Sequence, residues 1–300
     1  MAFPTETVYG LGADALNPAA VVRIFEAKNR PFFDPLIVHV ANRSEVEKYA
    51  VVSEKAELLM QAFWPGPLTL VLPRKDAIAD LVTSGLPTVA IRVPAHPVAL
   101  ALIRECGFPI AAPSANPFGF LSPTTAVHVE ESLGSKVDMI LDGGPCETGV
   151  ESTIVDLSGE HPAILRPGGL AAEEIESKIG PLSAAAVSAK PTAPGQLLQH
   201  YAPRTALKIL PLGQILTYPG LSKAGVLLLK TAPEKIPAKA CEVLSAQGSL
   251  SEAAQNLFAA LHRLDASGAE IILAEPVPET GLGLAIMDRL KRASHSRQSM

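Results

Sequence analysis

The sequence predicts an α/β fold: a mixed sheet with helices over residues 1–182, then a smaller α/β unit. Three observations predict it. Short apolar runs alternate with amphipathic stretches along the first part of the chain. The runs are bounded by Pro, Gly, Asn and Ser, the residues that end strands and helices. At residues 183–203 the chain changes to small residues and prolines, a linker composition, and beyond it the alternation restarts.

The elements follow in chain order. Asn17-Pro18 is a helix N-cap followed by proline at the first helical position, and the helix runs to about Asn29, ahead of Pro31. Leu36–Val40, Leu68–Leu72, Thr88–Val93, Ile110–Ala112, Met139–Leu141 and Ser152–Asp156 are predicted strands, with helices over Pro97–Cys106 and Thr124–Leu133. After the linker, Ala224–Leu229 and Ile271–Ala274 are predicted strands, Ser249–Ala266 a capped amphipathic helix and Leu282–Arg292 a final helix. The domains expected are therefore 1–182, a linker or lid at 183–203, and 204–300.

Composition narrows the function. The chain has 300 residues, 48% hydrophobic and 18% charged, which suits a folded soluble protein rather than a disordered one. A net charge of -5 without a basic stripe argues against strong direct nucleic-acid binding. No apolar run is long enough to span a bilayer, and the opening Met1–Glu6 lacks the basic and apolar regions of a secretory signal. Cys106, Cys146 and Cys241 are odd in number and far apart, so reduced thiols in a cytoplasmic protein are expected. There is no G-x-x-x-x-G-K-[ST] loop, G-x-G-x-x-G, H-E-x-x-H or G-x-S-x-G motif, so any nucleotide is held by other means.

Chemistry is sought where polar groups replace the apolar residues of a plain core. Lys28-Asn29-Arg30-Pro31 puts two cations at a helix end, where Pro31 pushes Arg30 into an extended conformation. They can converge on a phosphate chain or simply complement the helix dipole. In Pro113-Ser114-Ala115-Asn116-Pro117, Ser114 and Asn116 share a face and can bond phosphate, ribose or base edges, or form an ordinary turn. Arg92 interrupts a buried strand and requires an anionic partner, protein or substrate. His39 interrupts another, where a satisfied core histidine is the plainer reading. Arg166 precedes a Pro-Gly-Gly turn. The loop from Asp142 to Gly149 offers glycines that let backbone approach a ligand, or a plain hairpin. Pro4-Thr5-Glu6-Thr7-Val8-Tyr9-Gly10-Leu11-Gly12 opens a strand end into a polar loop, where α/β folds place their sites.

That last stretch, with Lys28-x-Arg30, Pro35-Leu36-Ile37-Val38-His39, Trp64-Pro65-Gly66-Pro67-Leu68-Thr69, Ala112-Pro113-Ser114-Ala115-Asn116 and Gly149-Val150-Glu151-Ser152-Thr153, resembles the YrdC-type threonylcarbamoyl-AMP synthases. The matches run in order across residues 2–170, and His200-Tyr201-Ala202-Pro203 with the domain after it resembles the longer, two-domain branch.

The resemblance implies a YrdC-like twisted mixed sheet with helices, joined to a smaller Rossmann-like domain. It implies synthesis of threonylcarbamoyl-AMP and pyrophosphate from L-threonine, bicarbonate and ATP, with magnesium accompanying ATP. The product would pass to the tRNA threonylcarbamoyl transferase machinery for tRNA t6A modification. Lys28, Arg30, Ser114 and Asn116 match the family's signature set at the nucleotide, Lys28 and Arg30 as its catalytic cations. Thr88 and Arg166 match further ATP contacts. Thr5, His39, Arg92, the Ala112 backbone and Ser152 match the threonine-holding positions, and Tyr201 matches a lid residue. The family usually carries about a helix-length of chain before the Ala2–Thr7 strand, so less cover is expected at that sheet edge. Two other readings compete. The carbamoyltransferases that mature hydrogenases share such a domain but carry C-x-x-C zinc fingers, which three scattered cysteines do not supply. A non-catalytic RNA-binding module would use a cationic concavity, against the charge balance noted above. No residue stands out as a general base.

Overall fold

The computed structural model describes residues 1–184, 191–197, 200–232 and 234–295. Two compact units emerge: Met1–Phe118 with Pro123–Gln196, and Gly119–Ser122 with Leu197–Met300. The division thus falls inside the segment read as a linker.

In the N-terminal unit the described residues form an eight-stranded mixed sheet. Its spatial order is Ser183–Ala184, Ala163–Arg166, Thr153–Asp156, Leu68–Pro73, Thr88–Arg92, Ile37–His39, Ile110–Ala111 and Ala13–Asp14. Thr153–Asp156 runs parallel to Leu68–Pro73, and Ile37–His39 parallel to Thr88–Arg92; Leu68–Pro73 and Thr88–Arg92 are antiparallel. Strand alternation divides the sheet's side chains between two faces. Leu68, Leu70, Leu72, Val89 and Ile91 join the main core, as do Val21, Ile24 and Phe25 of helix Pro18–Lys28 and Leu59 and Met60 of helix Glu54–Phe63. The opposite face carries Ile37, Val71, Ala90 and Ile154, with Ala193 packed on them. By the same alternation Thr69, His39, Arg92 and Ser152 belong to this second face, and Arg166 stands opposite Ile154 in register.

Helix Pro18–Lys28 forms as its sequence dictates. Asn17 accepts from the amides of Ala19 and Ala20, Pro18 fills the first turn, and Asn29 closes the helix in the left-handed region at φ 50°. That reversal turns Arg30 away from the helix axis and sends its amide back to the Phe25 carbonyl. Met139–Leu141 forms no strand. Ile140 makes an isolated bridge to Ala2, whose amide and carbonyl bond Met139 and Leu141. Ala2 and Phe3, paired on the other side with Gly10–Leu11, are wholly buried.

The C-terminal unit is a four-stranded parallel sheet, ordered Leu207–Ile209, Ile271–Ala274, Ala224–Leu228, Ala240–Val243. Ser249 caps helix Leu250–Ala266, whose buried stripe is Ala253, Leu257, Phe258, Leu261 and Leu264. Parallel strands need crossover connections, and this unit is the second α/β domain that was expected. Among the described residues no helix is long and apolar enough to cross a membrane.

Candidate active site

The second sheet face of the N-terminal unit gathers most of the residues singled out in the sequence. Arg92 ends its strand directly beside His39, its partner in register. The residue is 3% exposed, and its partners are protein groups. Nη2 lies 2.7 Å from Glu6 Oε1, Nη1 donates to Thr7 Oγ1 at 2.9 Å, and Nε donates to the Gly66 carbonyl at 3.2 Å. Thr5 Oγ1 lies 2.8 Å from Thr7 Oγ1 and donates to the Val8 carbonyl at 2.6 Å. With Thr5 committed to Val8, the proton between the two threonines belongs to Thr7, which leaves a Thr7 lone pair for Arg92. Arg92, Thr7 and Thr5 therefore form one ordered chain.

His39 is buried, with the Phe3 ring edge-on at 6.2 Å. Burial, and then the Arg92 charge, hold its pKa down at about 3, so it is a neutral imidazole. Ser152 immediately precedes strand Thr153–Asp156, which lies between Leu68–Pro73 and Ala163–Arg166. Its hydroxyl lies 2.7 Å from Thr69 Oγ1 and accepts from Arg166 Nη2 at 3.2 Å. Arg166 also donates to the Ser152 carbonyl through Nε and Nη2 at 3.2 and 2.9 Å, and through Nη1 to the Pro194 carbonyl at 3.2 Å.

A second group forms around the end of helix Pro18–Lys28. Lys28, 1% exposed, donates from Nζ to the carbonyls of Ser114 and Asn116. Burial, and then Arg30, push its pKa well below the ordinary lysine value, while Asp34 acts in the opposite sense. The lysine thus grips the backbone of the Ser-x-Asn segment, a role its spacing did not suggest. That segment is fixed on its other side by Leu11 and Ala115, whose amides bond the carbonyls of Pro113 and Tyr9. Arg30 donates to the carbonyls of Asp34 and Pro35 at 3.1 and 2.8 Å, and its Nη2 lies 3.0 Å from Asp34 Oδ2.

Three predicted positions stand apart. Thr88 opens the strand that Arg92 closes and is half-buried. Four residues along a strand put it about 13 Å away on the same face. Among the described residues no hydrogen bond or ion pair joins it to Lys28, Arg30 or Ser114. Ala112 commits its amide to the Ile37 carbonyl at 2.9 Å. Tyr201 belongs to the C-terminal unit, 1% exposed at φ 60°, with the Arg289 guanidinium 4.8 Å from its ring centre and the Phe258 ring at 5.8 Å. The segment read as linker also contributes to the N-terminal unit, through Ala193 and Pro194; residues 185–190 and 198–199 lie outside the described residues.

The glycine loop is explained by packing. Tyr9 donates to the Gly144 carbonyl at 2.7 Å and accepts from the Gly143 amide at 3.2 Å. A Cβ on Gly143 would fall 2.6 Å from Pro4. Close approach is needed here, but to the protein's own chain. Cys146, buried beside Glu6 and Arg92, has its thiol pushed up to about 12 by burial and then by the Glu6 charge, which makes it inert.

Sequence reasoning missed Glu6, Thr7, Asp34 and Thr69. Glu6 and Thr7 lie inside a motif noted for other reasons, and Asp34 stands four residues after Arg30. The signal available was that a buried arginine must have an anion.

Comparison with known proteins identifies the family. The family described as "Telomere recombination", covering Sua5, YciO and YrdC proteins, matches residues 1–168. "Threonylcarbamoyl-AMP synthase, C-terminal domain" matches residues 170–295. The threonylcarbamoyl-AMP synthase of Pyrococcus abyssi is 47% identical over 99% of this chain and 91% of its own. That of Bacillus subtilis is 47% identical over 99% of this chain and 90% of its own. The crystal structure of Pyrococcus abyssi Sua5 complexed with L-threonine superposes with a TM-score of 0.91 at 44% identity, covering 98% of this chain and 89% of that one. Matched along nearly its whole length in both units, the chain belongs to the Sua5/YrdC family of threonylcarbamoyl-AMP synthases, in its two-domain form.

Proposed function

We propose that this protein joins L-threonine, bicarbonate or its CO2, and ATP into threonylcarbamoyl-AMP, releasing pyrophosphate. The observation that carries the reading is Ser152. Its hydroxyl, 3.2 Å from Arg166, is where a corner suited to an amino acid meets the cations suited to phosphate. In the first, Arg92 takes the threonine carboxylate, neutral His39 and Thr5 bond its polar groups, and Ala112 contributes its carbonyl. In the second, Lys28, Arg30 and Arg166 face the phosphates, with Ser114 and Asn116 on ribose or phosphate and Thr88 on the distal nucleotide. The Pyrococcus abyssi relative solved with L-threonine supports threonine as the amino acid.

The chemistry asks little covalent work of the protein. The threonine amine, as free base, adds to the carbon of CO2; an N–C bond forms and the nitrogen loses a proton to water. A carbamate oxygen then attacks the α-phosphorus, the bond to the bridging oxygen breaks, and pyrophosphate departs with the electron pair. Positioning and fixed charge lower the barrier. Magnesium belongs with the nucleotide, where it would draw charge from the phosphates; its ligands are typically phosphate oxygens and water rather than a protein cage. Lys28, Arg30 and Arg166 then meet the remaining phosphate charge. The product is a mixed anhydride that water destroys, so closure of a lid including Tyr201 is part of this reading. The adenylate goes to the transferase machinery that modifies tRNA, in the cytoplasm.

The test is pyrophosphate release from ATP, with and without L-threonine and bicarbonate, beside Arg30→Ala. Release that requires both co-substrates and collapses in the variant is expected. Release indifferent to threonine would overturn the reading.

A further inference from the structure

The three cations assigned above to phosphate are deeply buried: Lys28 is 1% exposed, Arg30 6% and Arg166 4%. Their hydrogen bonds include ones to the backbone carbonyls of Ser114 and Asn116, of Asp34 and Pro35, and of Ser152 and Pro194, and Arg166 also donates to the Ser152 hydroxyl. A carbonyl supplies a partial charge and cannot neutralise a cation. Like charges brought together in a low dielectric repel strongly.

Asp34 supplies a full charge. It is 0% exposed, and Oδ2 lies 3.0 Å from Arg30 Nη2. Its place is set by the turn that Pro31 begins, in which the Asp34 amide returns to the Pro31 carbonyl. Both carboxylate oxygens are buried without a well-directed hydrogen bond, so the contact with Arg30 is Coulombic. A buried carboxylate normally collects several N–H donors. Here its surroundings are cations: Arg30, Lys28 and Arg166 all act on it electrostatically, against the burial that raises its pKa.

We propose that Asp34 is a built-in counter-ion, standing in for nucleotide phosphate while the site is empty and opposing phosphate when the nucleotide arrives. The proposal rests on the nucleotide reading of Lys28, Arg30 and Arg166. It makes Asp34 a residue that sets ATP affinity without touching ATP. Its charge holds the three cations together in the empty protein. The same charge repels the incoming phosphates, so the site binds less tightly than its cations alone would allow. Product release benefits, because pyrophosphate leaves against a weaker net attraction.

The test separates this role from simple support. Asp34→Asn keeps the shape and removes the charge, and two effects of opposite sign are expected. The melting temperature of the ligand-free protein falls, and the Kd for magnesium-ATP tightens on the order of tenfold, the scale of one charge about 10 Å away at an effective dielectric of about 20. Pyrophosphate, as a competing probe, tightens likewise. A residue that merely holds Arg30 in place would instead lose stability and affinity together. That result, or unchanged affinity, overturns the proposal. Should Asp34→Asn fail to fold, Asp34→Ser is read in the same assays by the same criteria. Arg30→Ala is the control for the underlying reading: if it binds ATP as tightly as the wild type, the nucleotide assignment falls, whatever Asp34 does.

Discussion

Arg92 is bound to Glu6, not waiting for a ligand: Nη2 and Oε1 lie 2.7 Å apart, with side chains 4% and 7% exposed. The arrangement repeats at the other end of the site, where Arg30 and Asp34 lie 3.0 Å apart with side chains 3% and 0% exposed. Two of the proposed anchors for substrate anions, Arg92 and Arg30, thus each carry a protein anion of their own. A guanidinium has five N–H groups in a fixed fork, so Arg92 can hold Glu6, Thr7 and Gly66 and still present N–H groups to a carboxylate.

Removing one partner of a buried pair leaves the other charge stranded. Glu6→Gln is therefore expected to cost about 3 kcal/mol of stability, measured by urea unfolding. Adding Arg92→Met should recover a substantial part of that loss. If the two single changes simply add in the double variant, the pair is not coupled and this account of Arg92 is wrong.

His39 links stability to pH. Unfolded histidine takes a proton near its ordinary value of 6.5, whereas folded His39 resists until about 3. Between those values the unfolded chain binds more protons, so stability falls as pH falls, by an amount on the order of a few kcal/mol. His39→Gln should flatten this acid limb of the stability curve. An unchanged slope between wild type and variant would show that other groups produce it.

Gly168 permits a close crossing of chains beside the arginine anchor. A Cβ there would lie 2.3 Å from the Glu151 carbonyl oxygen and 2.4 Å from the backbone of Ser152 and Thr153. Backbone cannot step aside as a flexible side chain can. Gly168→Ala should cost about 3 kcal/mol and weaken ATP binding, because the Ser152 carbonyl that orients Arg166 must move. Normal melting with normal ATP affinity would contradict the crossing.

The linker predicts a kinetic effect. Pro194, midway along it, accepts a hydrogen bond from Arg166, and Tyr201, near its end, is seated by Arg289 and Phe258. Proteolytic cutting within residues 185–199 should leave the melting transition in place and speed release of the adenylate. Equal retention of product by cut and uncut protein would remove the lid from the mechanism.

Much of the fold was legible locally. The Asn17-Pro18 cap, the halt before Pro31 and the helix Pro97–Cys106 were all readable, because capping, proline geometry and hydrophobic period act over a few residues. Met139–Leu141 looked like a strand by its apolar run, yet it meets Ala2 only as a bridge. Edge strand Ala240–Val243 and helix Glu54–Phe63 went unnoticed. The strand is half exposed and lacks an apolar run, and the helix, though capped by Ser53, is short and buries only Ala56, Leu59 and Met60.

By itself the sequence determined the α/β class, the two-part organisation and the residue types of the site, since these follow from local periodicity and from motifs in fixed order. Only the tertiary structure decided the pairings: Glu6 with Arg92 across 86 positions, Lys28 with the carbonyls of Ser114 and Asn116, Arg166 with Ser152 and Pro194. The physical reason is that an ion pair or a side-chain hydrogen bond depends on which strands become neighbours and in what register. Side-chain period along one strand carries no record of its partner, whereas the cost of a lone buried charge guarantees only that some partner exists.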